Sequence, residues 1–210
     1  QGLMPNNPAK HVESPKVPHK AMNILTEEQL EVFLAAADKD PIWRDFFYTE
    51  CMTGLRRGEI CGLRWEEIDF SRREVHIVNQ RQRLATGEII DCSPKSAASV
   101  RTLPIPDALW PLLRSRRQLS GYLCTISPSG LDAAHRRLVG RLELPYIPLH
   151  GLRHTMATSC IRHGGEMRSL QKVLGHANYS TTANRYTHPD PEMLRRALEN
   201  ATMPCYTVTQ

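Results

Sequence analysis

Four short segments of this 210-residue chain gather the side chains that could do chemistry: TGLRRGE at 53–59, SPKSAASVRT at 93–102, HGLRHT at 150–155 and LGHANYSTTANRYTH at 174–188. They carry arginines, a lysine, imidazoles and a phenol. A guanidinium stays charged at any accessible pH, and its planar fork matches two oxygens of an anion at once. Imidazole exchanges protons near neutrality. A phenol, with an ordinary pKa of about 10, becomes a nucleophile when a base or a cationic field helps it lose its proton. Taken singly, each residue has a simpler reading: Arg56 or Arg153 at the surface, Lys95 solvated in a loop, His176 capping a helix, Tyr186 on a helix face with its hydroxyl bonded. Found together, they point to a site for an anionic substrate.

A second chemistry draws on the same imidazoles. His150, His154, His163, His176 and His188 crowd the last third of the chain, and His150 and His154 have the i, i+4 spacing of a zinc-binding helix. That reading makes a metal-dependent nuclease or phosphoesterase. Against it, Arg153 lies between the two and no carboxylate accompanies them, so the charge is already positive where a cation would sit. The expectation is no metal ligand and no other cofactor.

These residues need elements to hold them. Residues 1–23, with four prolines and no apolar period, read as an extended interdomain linker, and the opening Gln-Gly as the start of a piece cut from a longer chain. Thr26 with Gln29 forms a capping-box pattern ahead of a helix whose apolar face is Leu30, Phe33 and Leu34. Trp43–Met52 reads as a second helix, broken at Thr53-Gly54. Between Glu74 and Ile105 the β-branched runs EVHIVNQRQ, EIIDCS and VRTLPI predict one antiparallel sheet of three strands, with Ala85-Thr86-Gly87 as a hairpin turn. Helical pattern returns at Pro106–Leu119 and Ser129–Leu142, then from His150 nearly to Asn200 with breaks at Gly164-Gly165, Gly175 and Pro189. The fold class is mainly α with a small antiparallel β-sheet (α+β). The helix opening at His150 should turn its polar first turn and positive dipole end to an anion, with Met156–Ile161 anchored in the core.

The bulk properties agree. The excess of 27 Lys and Arg over 22 Asp and Glu gives +5 and suits a polyanionic partner. Six cysteines without CxxC pairing read as reduced thiols of a cytosolic protein. No run approaches the roughly 18 apolar residues of a membrane span, and no signal-peptide pattern opens the chain.

From about Leu25 to Tyr186 the four motifs, in this order, resemble the tyrosine recombinases, or phage-type integrases. TGLRRGEICGLRW, HGLRHTMAT and LGHANYSTTANRYTH match over their whole lengths, and the linker and TGLRRGE box look most like integrases of phages and conjugative transposons. The resemblance implies that family's catalytic-domain fold over 24–190 and site-specific DNA cleavage and rejoining through a covalent 3′-phosphotyrosyl intermediate. It implies Tyr186 as nucleophile, Arg56 and Arg153 as phosphate clamp, His176 as a further donor to the phosphate, Lys95 as general acid for the leaving 5′ oxygen, and His150 as a participant in proton movement. Arg57 is the rival for the first arginine, but the motif places the catalytic group directly after Gly-Leu. Glu59 and His154 are expected to support the site from behind. Two departures stand out: Lys95-Ser96 where the family usually has Lys-Thr, and a short stretch from Gly121 to Pro148.

The implied partners are double-stranded DNA recombination sites, further copies of the chain forming a tetramer on DNA, and accessory directionality or DNA-bending proteins. There is no membrane partner. The implied location is the bacterial cytoplasm, on the nucleoid when active. Arg81, Arg83, Arg136, Arg137 and Arg141 are candidates for contact with the DNA backbone. Residues 191–210 read as a C-terminal helix and apolar tail, packed either on their own domain or on a neighbouring protomer. A DNA-binding module without catalysis is the remaining alternative, since binding alone needs only phosphate contacts and base readers.

Overall fold

Thr26 starts the first helix as its sequence suggests: its hydroxyl accepts from the Gln29 N–H (3.3 Å) while the Gln29 side chain accepts from the Thr26 N–H (3.0 Å). The computed structural model describes residues 23–94 and 99–176, apart from the side chains of Pro41 and Ile42. The expected linker, Lys95, Tyr186, His188 and the C-terminal tail lie outside that range.

The helices are α1 (Glu27–Ala37), α2 (Pro41–Thr53) and α3 (Arg57–Gly62). A single 3-10 turn, Trp65–Glu67, then leads into strands β1 (Ile68–Asp69), β2 (Glu74–Ile77), β3 (Gln80–Arg83), β4 (Ile89–Cys92) and β5 (Arg101–Pro104). Four helices follow: α4 (Trp110–Arg116), α5 (Pro128–Arg141), α6 (His150–Arg162) and α7 (Met167–Leu174). The α+β class holds. Helix α4 is shorter than the sequence predicts, because the carbonyl of Pro106 accepts from both Leu109 and Trp110 in a turn and Leu119 is exposed.

The expected single sheet is two. Strands β1, β2 and β5 form one antiparallel sheet, with Val75 opposite both Ile68 and Leu103. Strands β3 and β4 form a separate hairpin, with Gln80 opposite Cys92 and Arg83 opposite Ile89. The run EVHIVNQRQ breaks at Val78-Asn79, where the Asn79 amide donates to the Glu67 carboxylate. Val75 and Ile77 are buried by alternation, whereas no residue of β3 is fully buried. The hairpin turn falls at Ala85-Thr86-Gly87 as the sequence indicates, closed by Gly87 N–H to Leu84 O (3.0 Å). Helix α3 lies directly on this hairpin: a Cβ at Gly62 would sit 2.7 Å from the Gln80 Cα, so only glycine admits the approach.

A core of Phe33, Phe46, Phe47, Leu55, Ile60, Leu131 and Leu152 joins α1, α2, α3, α5 and α6. A smaller cluster, Ala157, Leu170 and Leu174, joins α6 to α7. The burial of α6 corrects the sequence reading. Its first turns, Gly151–Thr155, are the buried part, while in Met156–Ile161 only Ala157 is fully buried. The apolar residues there face the short α7 rather than the main core. Among the described residues the cysteines are free thiols, and no helix is long and apolar enough to cross a membrane.

His135 of α5 is 1% exposed, its ring centroid 5.8 Å from that of Phe33 and 6.0 Å from that of Phe47. Burial pushes its pKa down to about 4. Between the ordinary value and that one the unfolded chain binds a proton that the folded chain refuses, so stability falls as pH drops through this window. Replacement by phenylalanine removes the proton site. In thermal melts the stability difference between His135→Phe and wild type should shift in the variant's favour by roughly 2 kcal/mol between pH 6.5 and pH 5. A pH-independent difference would contradict the buried neutral imidazole.

Candidate active site

Helix α7 ends in a left-handed glycine. Gly175 has φ +63°, its N–H donates to Lys172 O (3.1 Å), and the His176 N–H donates to Gln171 O (3.2 Å). These are the paired bonds of a Schellman closure, which needs a residue free to take positive φ. Three successive carbonyls at this end accept from three arginines of distant segments. Arg101 Nε donates to Val173 O (2.8 Å), Arg153 Nη2 to Leu174 O (2.7 Å) and Arg56 Nη2 to Gly175 O (2.9 Å). A helix C-terminus carries a partial negative charge, so it favours cations at these carbonyls.

Arg153 is 1% exposed, far from the open mouth its position near the start of α6 suggests. Its Nη1 donates to Gly54 O (2.5 Å), and its Nη2 lies 3.0 Å from His176 Nε2. Guanidinium can only donate, so at this contact Nε2 is the acceptor.

Arg56 is the residue before α3, about a third exposed. Its Nη1 donates to Glu59 Oε1 (2.7 Å), and its backbone N–H donates to Glu59 Oε2 (2.9 Å). Glu59, 2% exposed, also receives both Nη groups of Arg101, at 3.1 and 3.0 Å. Burial acts to raise the Glu59 carboxyl, but the bonds and charges of Arg101 and Arg56 outweigh it and hold the group below its ordinary pKa. The neighbouring Arg57 pairs with Asp132 of α5 across the cavity lining. Geometry thus separates the two arginines: Arg56 faces the end of α7, and Arg57 does not.

A cavity of about 1170 Å³ opens over this arrangement, lined among others by Arg56, Arg57, Arg81, Arg83, His150 and His176. His150 is exposed at the start of α6, its ring edge-on to the buried His154 at 4.7 Å between centroids. Glu50 of α2 also lines the cavity, 1% exposed, and its Oε2 accepts no hydrogen bond. Burial raises its carboxyl well above the ordinary value, against the pull of Arg153 and Arg57. Among the described residues no three His, Cys, Asp or Glu side chains gather as a metal site.

Six of the residues expected from sequence therefore meet: Arg56, Glu59, His150, Arg153, His154 and His176. Of the expected DNA-contacting arginines, Arg81 and Arg83 line the cavity. Arg81 is already occupied, 4.1 Å over the Tyr122 ring and 3.4 Å from Asp91. Arg137 and Arg141 instead line a separate groove with Trp43 and Phe47, and Arg136 lies 6.0 Å over Tyr146. Sequence reasoning missed Arg101 and Glu50. Each left a signal: Arg101 is two residues before the buried Leu103 on one face of β5, and Glu50 is one turn beyond Phe46 and Phe47. A charge on a buried face needs a partner or a purpose.

Residues 23–193 match the phage integrase family. Among similar proteins, a tyrosine recombinase XerC-like protein of Caldanaerobacter subterraneus subsp. tengcongensis is 28% identical, over 95% of this chain and 60% of that protein. Tyrosine recombinase XerC of Mycobacterium bovis is 30% identical, over 96% of this chain and 70% of that protein. The chain thus spans 60 to 70% of the length of these two relatives. Among solved structures, the Tn1549 transposon integrase in complex with a circular intermediate DNA has a TM-score of 0.74 at 23% identity, covering 89% of this chain and 68% of that one. The catalytic domain of bacteriophage HP1 integrase has a TM-score of 0.60 at 24% identity, covering 90% and 99%. Both share the fold.

The helix closure can be tested directly. Gly175→Ala places a Cβ in left-handed backbone and should destabilise the chain by about 1 to 2 kcal/mol in urea melts, while Gly175→Asn, which tolerates that conformation, should lose less. Equal losses would contradict the left-handed closure.

Proposed function

The chain belongs to the phage integrase family, and from that premise we propose that it is the catalytic part of a tyrosine site-specific recombinase that cuts and rejoins DNA. The observation that carries this reading is the convergence of Arg56, Arg153 and His176 on one helix end beneath a cationic cavity. A phosphodiester there would meet donors that other parts of the fold already hold in place. Such preorganised donors stabilise charge developing on non-bridging oxygens, and losing one typically costs about 2.7 to 4 kcal/mol.

In the proposed reaction the Tyr186 oxygen attacks phosphorus, forming a phosphotyrosyl bond as the bond to the 5′ oxygen breaks. Lys95 gives the 5′ oxygen its proton, and His150 assists proton movement at the cavity rim. Resealing by a 5′ hydroxyl reverses the step. The phosphotyrosyl bond keeps the energy of the broken linkage, so the reaction needs no nucleotide or metal cofactor. Glu59 and His154 act from behind, on Arg56 and on the His150 ring.

The substrate is a double-stranded recombination site. The active assembly is a tetramer on DNA, helped by directionality or DNA-bending proteins, in the bacterial cytoplasm and on the nucleoid. The family match over 23–193 supports residues 1–23 as a linker and 24–190 as the catalytic domain. Residues 191–210 then form a C-terminal tail packed either on its own domain or on a neighbouring protomer; if on a neighbour, their deletion should lower assembly on DNA, and unchanged assembly with unchanged cleavage would assign it to its own domain. A mobile element is the proposed source.

Covalent trapping tests the reaction. On nicked suicide duplexes carrying candidate sites, in EDTA, the chain should form an SDS-stable protein–DNA adduct that Tyr186→Phe abolishes. Arg56→Ala should slow its formation by about 100-fold or more. Arg57→Ala, which breaks an exposed pair with Asp132 at the cavity lining, should slow it less than Arg56→Ala does. Cleavage that requires a divalent metal would favour a nuclease. DNA binding without any adduct would favour a non-catalytic module.

A further inference from the structure

We propose that Arg101 is a positioning residue for the phosphate clamp: it holds Glu59 and the end of α7 where they aim Arg56 into the cavity. The proposal rests on the recombinase reading above.

Arg101 does not reach the cavity as a ligand. Its side chain is 8% exposed, and its donors are used internally: Nη1 and Nη2 on Glu59, Nη1 also on Ser99 O (2.8 Å), and Nε on Val173 O (2.8 Å). What it touches is what matters. Glu59 holds Arg56 twice, through the side chain and through the backbone N–H. Val173 is two residues from Gly175, whose carbonyl takes the other Nη of Arg56. Ser99 lines the cavity and directly follows the segment 95–98 that includes Lys95. One guanidinium thus ties together the supports of Arg56 and the base of the lysine segment.

Charge explains why an arginine is needed. A buried carboxylate prefers a bidentate guanidinium. With Arg101 filling that role, Glu59 keeps only one side-chain bond to Arg56, whose other Nη bonds the Gly175 carbonyl while the residue lines the cavity. Remove Arg101, and Arg56 becomes the sole cation beside Glu59 and folds onto it, away from the phosphate. Lysine restores the charge but not the fork, since a point donor cannot span both carboxylate oxygens and two carbonyls.

The test compares wild type, Arg101→Lys and Arg56→Lys in adduct formation on two suicide duplexes. One carries the ordinary scissile phosphate. The other carries a methylphosphonate, in which a neutral methyl replaces one charged oxygen and less charge remains for the clamp to meet. On phosphate, Arg101→Lys should be slower than wild type on the order of 100-fold, as misplacement of a catalytic group from a distance can cause. On methylphosphonate the deficit should shrink about tenfold or more, in parallel with Arg56→Lys. In side-chain NMR of the folded variant, the Arg56 guanidinium resonances should move. An equal deficit on both duplexes, or unmoved Arg56 resonances, would overturn the proposal and leave Arg101 a structural ion pair. If Arg101→Lys melts below the assay temperature, Arg101→Gln is read by the same comparison. Wild type forming no Tyr186-dependent adduct on either duplex would sink the recombinase reading and the proposal together, and wild type's own failure distinguishes that result.

Discussion

Three arginines from three parts of the chain share the last carbonyls of one short helix. Each bond is ordinary, but the set imposes a strong constraint. Arg56 leads into α3, Arg101 stands on β5 and Arg153 on α6, and all three must reach Val173, Leu174 and Gly175 at once. Like charges brought together repel, so the cluster needs compensation. It comes from the negative end of the helix and from Glu59, which two of the guanidiniums share. An anion entering the cavity would complete that compensation. The small apolar cluster of α6 and α7 gains its significance here, because Leu170 and Leu174 fix the helix whose carbonyls everything else addresses.

Arg153 sharpens the point. A fully buried guanidinium is costly to desolvate and is usually matched by a carboxylate. The bonds given for it here go to the carbonyls of Gly54 and Leu174 and to the ring of His176. The two carbonyls and the imidazole nitrogen take up its Nη groups. Glu50 is the buried carboxyl nearby, and burial raises it well above its ordinary value against the pull of Arg153 and Arg57.

Much of this was legible in the sequence, and the reasons differ from place to place. The Thr26 capping box and the hairpin turn at Gly87 are local, and local chemistry fixed them. The convergence of Arg56, His150, Arg153 and His176 followed from motif order and resemblance, since nothing in their spacing brings residues about 100 apart together. What the sequence concealed depends on tertiary partners. The run EVHIVNQRQ reads as one strand, but the bond from Asn79 to Glu67 breaks it. The apolar stretch Met156–Ile161 suggests the core, but the deepest part of α6 is its first turns, because Arg153 must reach Gly54 and Leu174. The arginines of α5 share a helix and a charge sign with no common role, since helical geometry turns Arg137 and Arg141 toward Trp43 and away from the cavity.

The β3–β4 hairpin applies the same device at the surface. Tyr122 lies between Arg64 (4.5 Å) and Arg81 (4.1 Å), and its hydroxyl donates to Asp91, which both arginines also pair. That bond lowers the Asp91 carboxyl and raises the Tyr122 phenol, so the charged acid and neutral phenol persist together over a wide pH range. The cluster joins β3, β4 and the segment after α3, and the close approach at Gly62 presses α3 against the same hairpin. A two-stranded hairpin alone is marginally stable in water. Fastened by α3 and by this cluster, β3 and β4 are tied into the rest of the fold, and β4 ends at Cys92. The arginines around the cavity are therefore positioned by the same principle: those committed to internal acceptors hold the elements that carry the ones lining it.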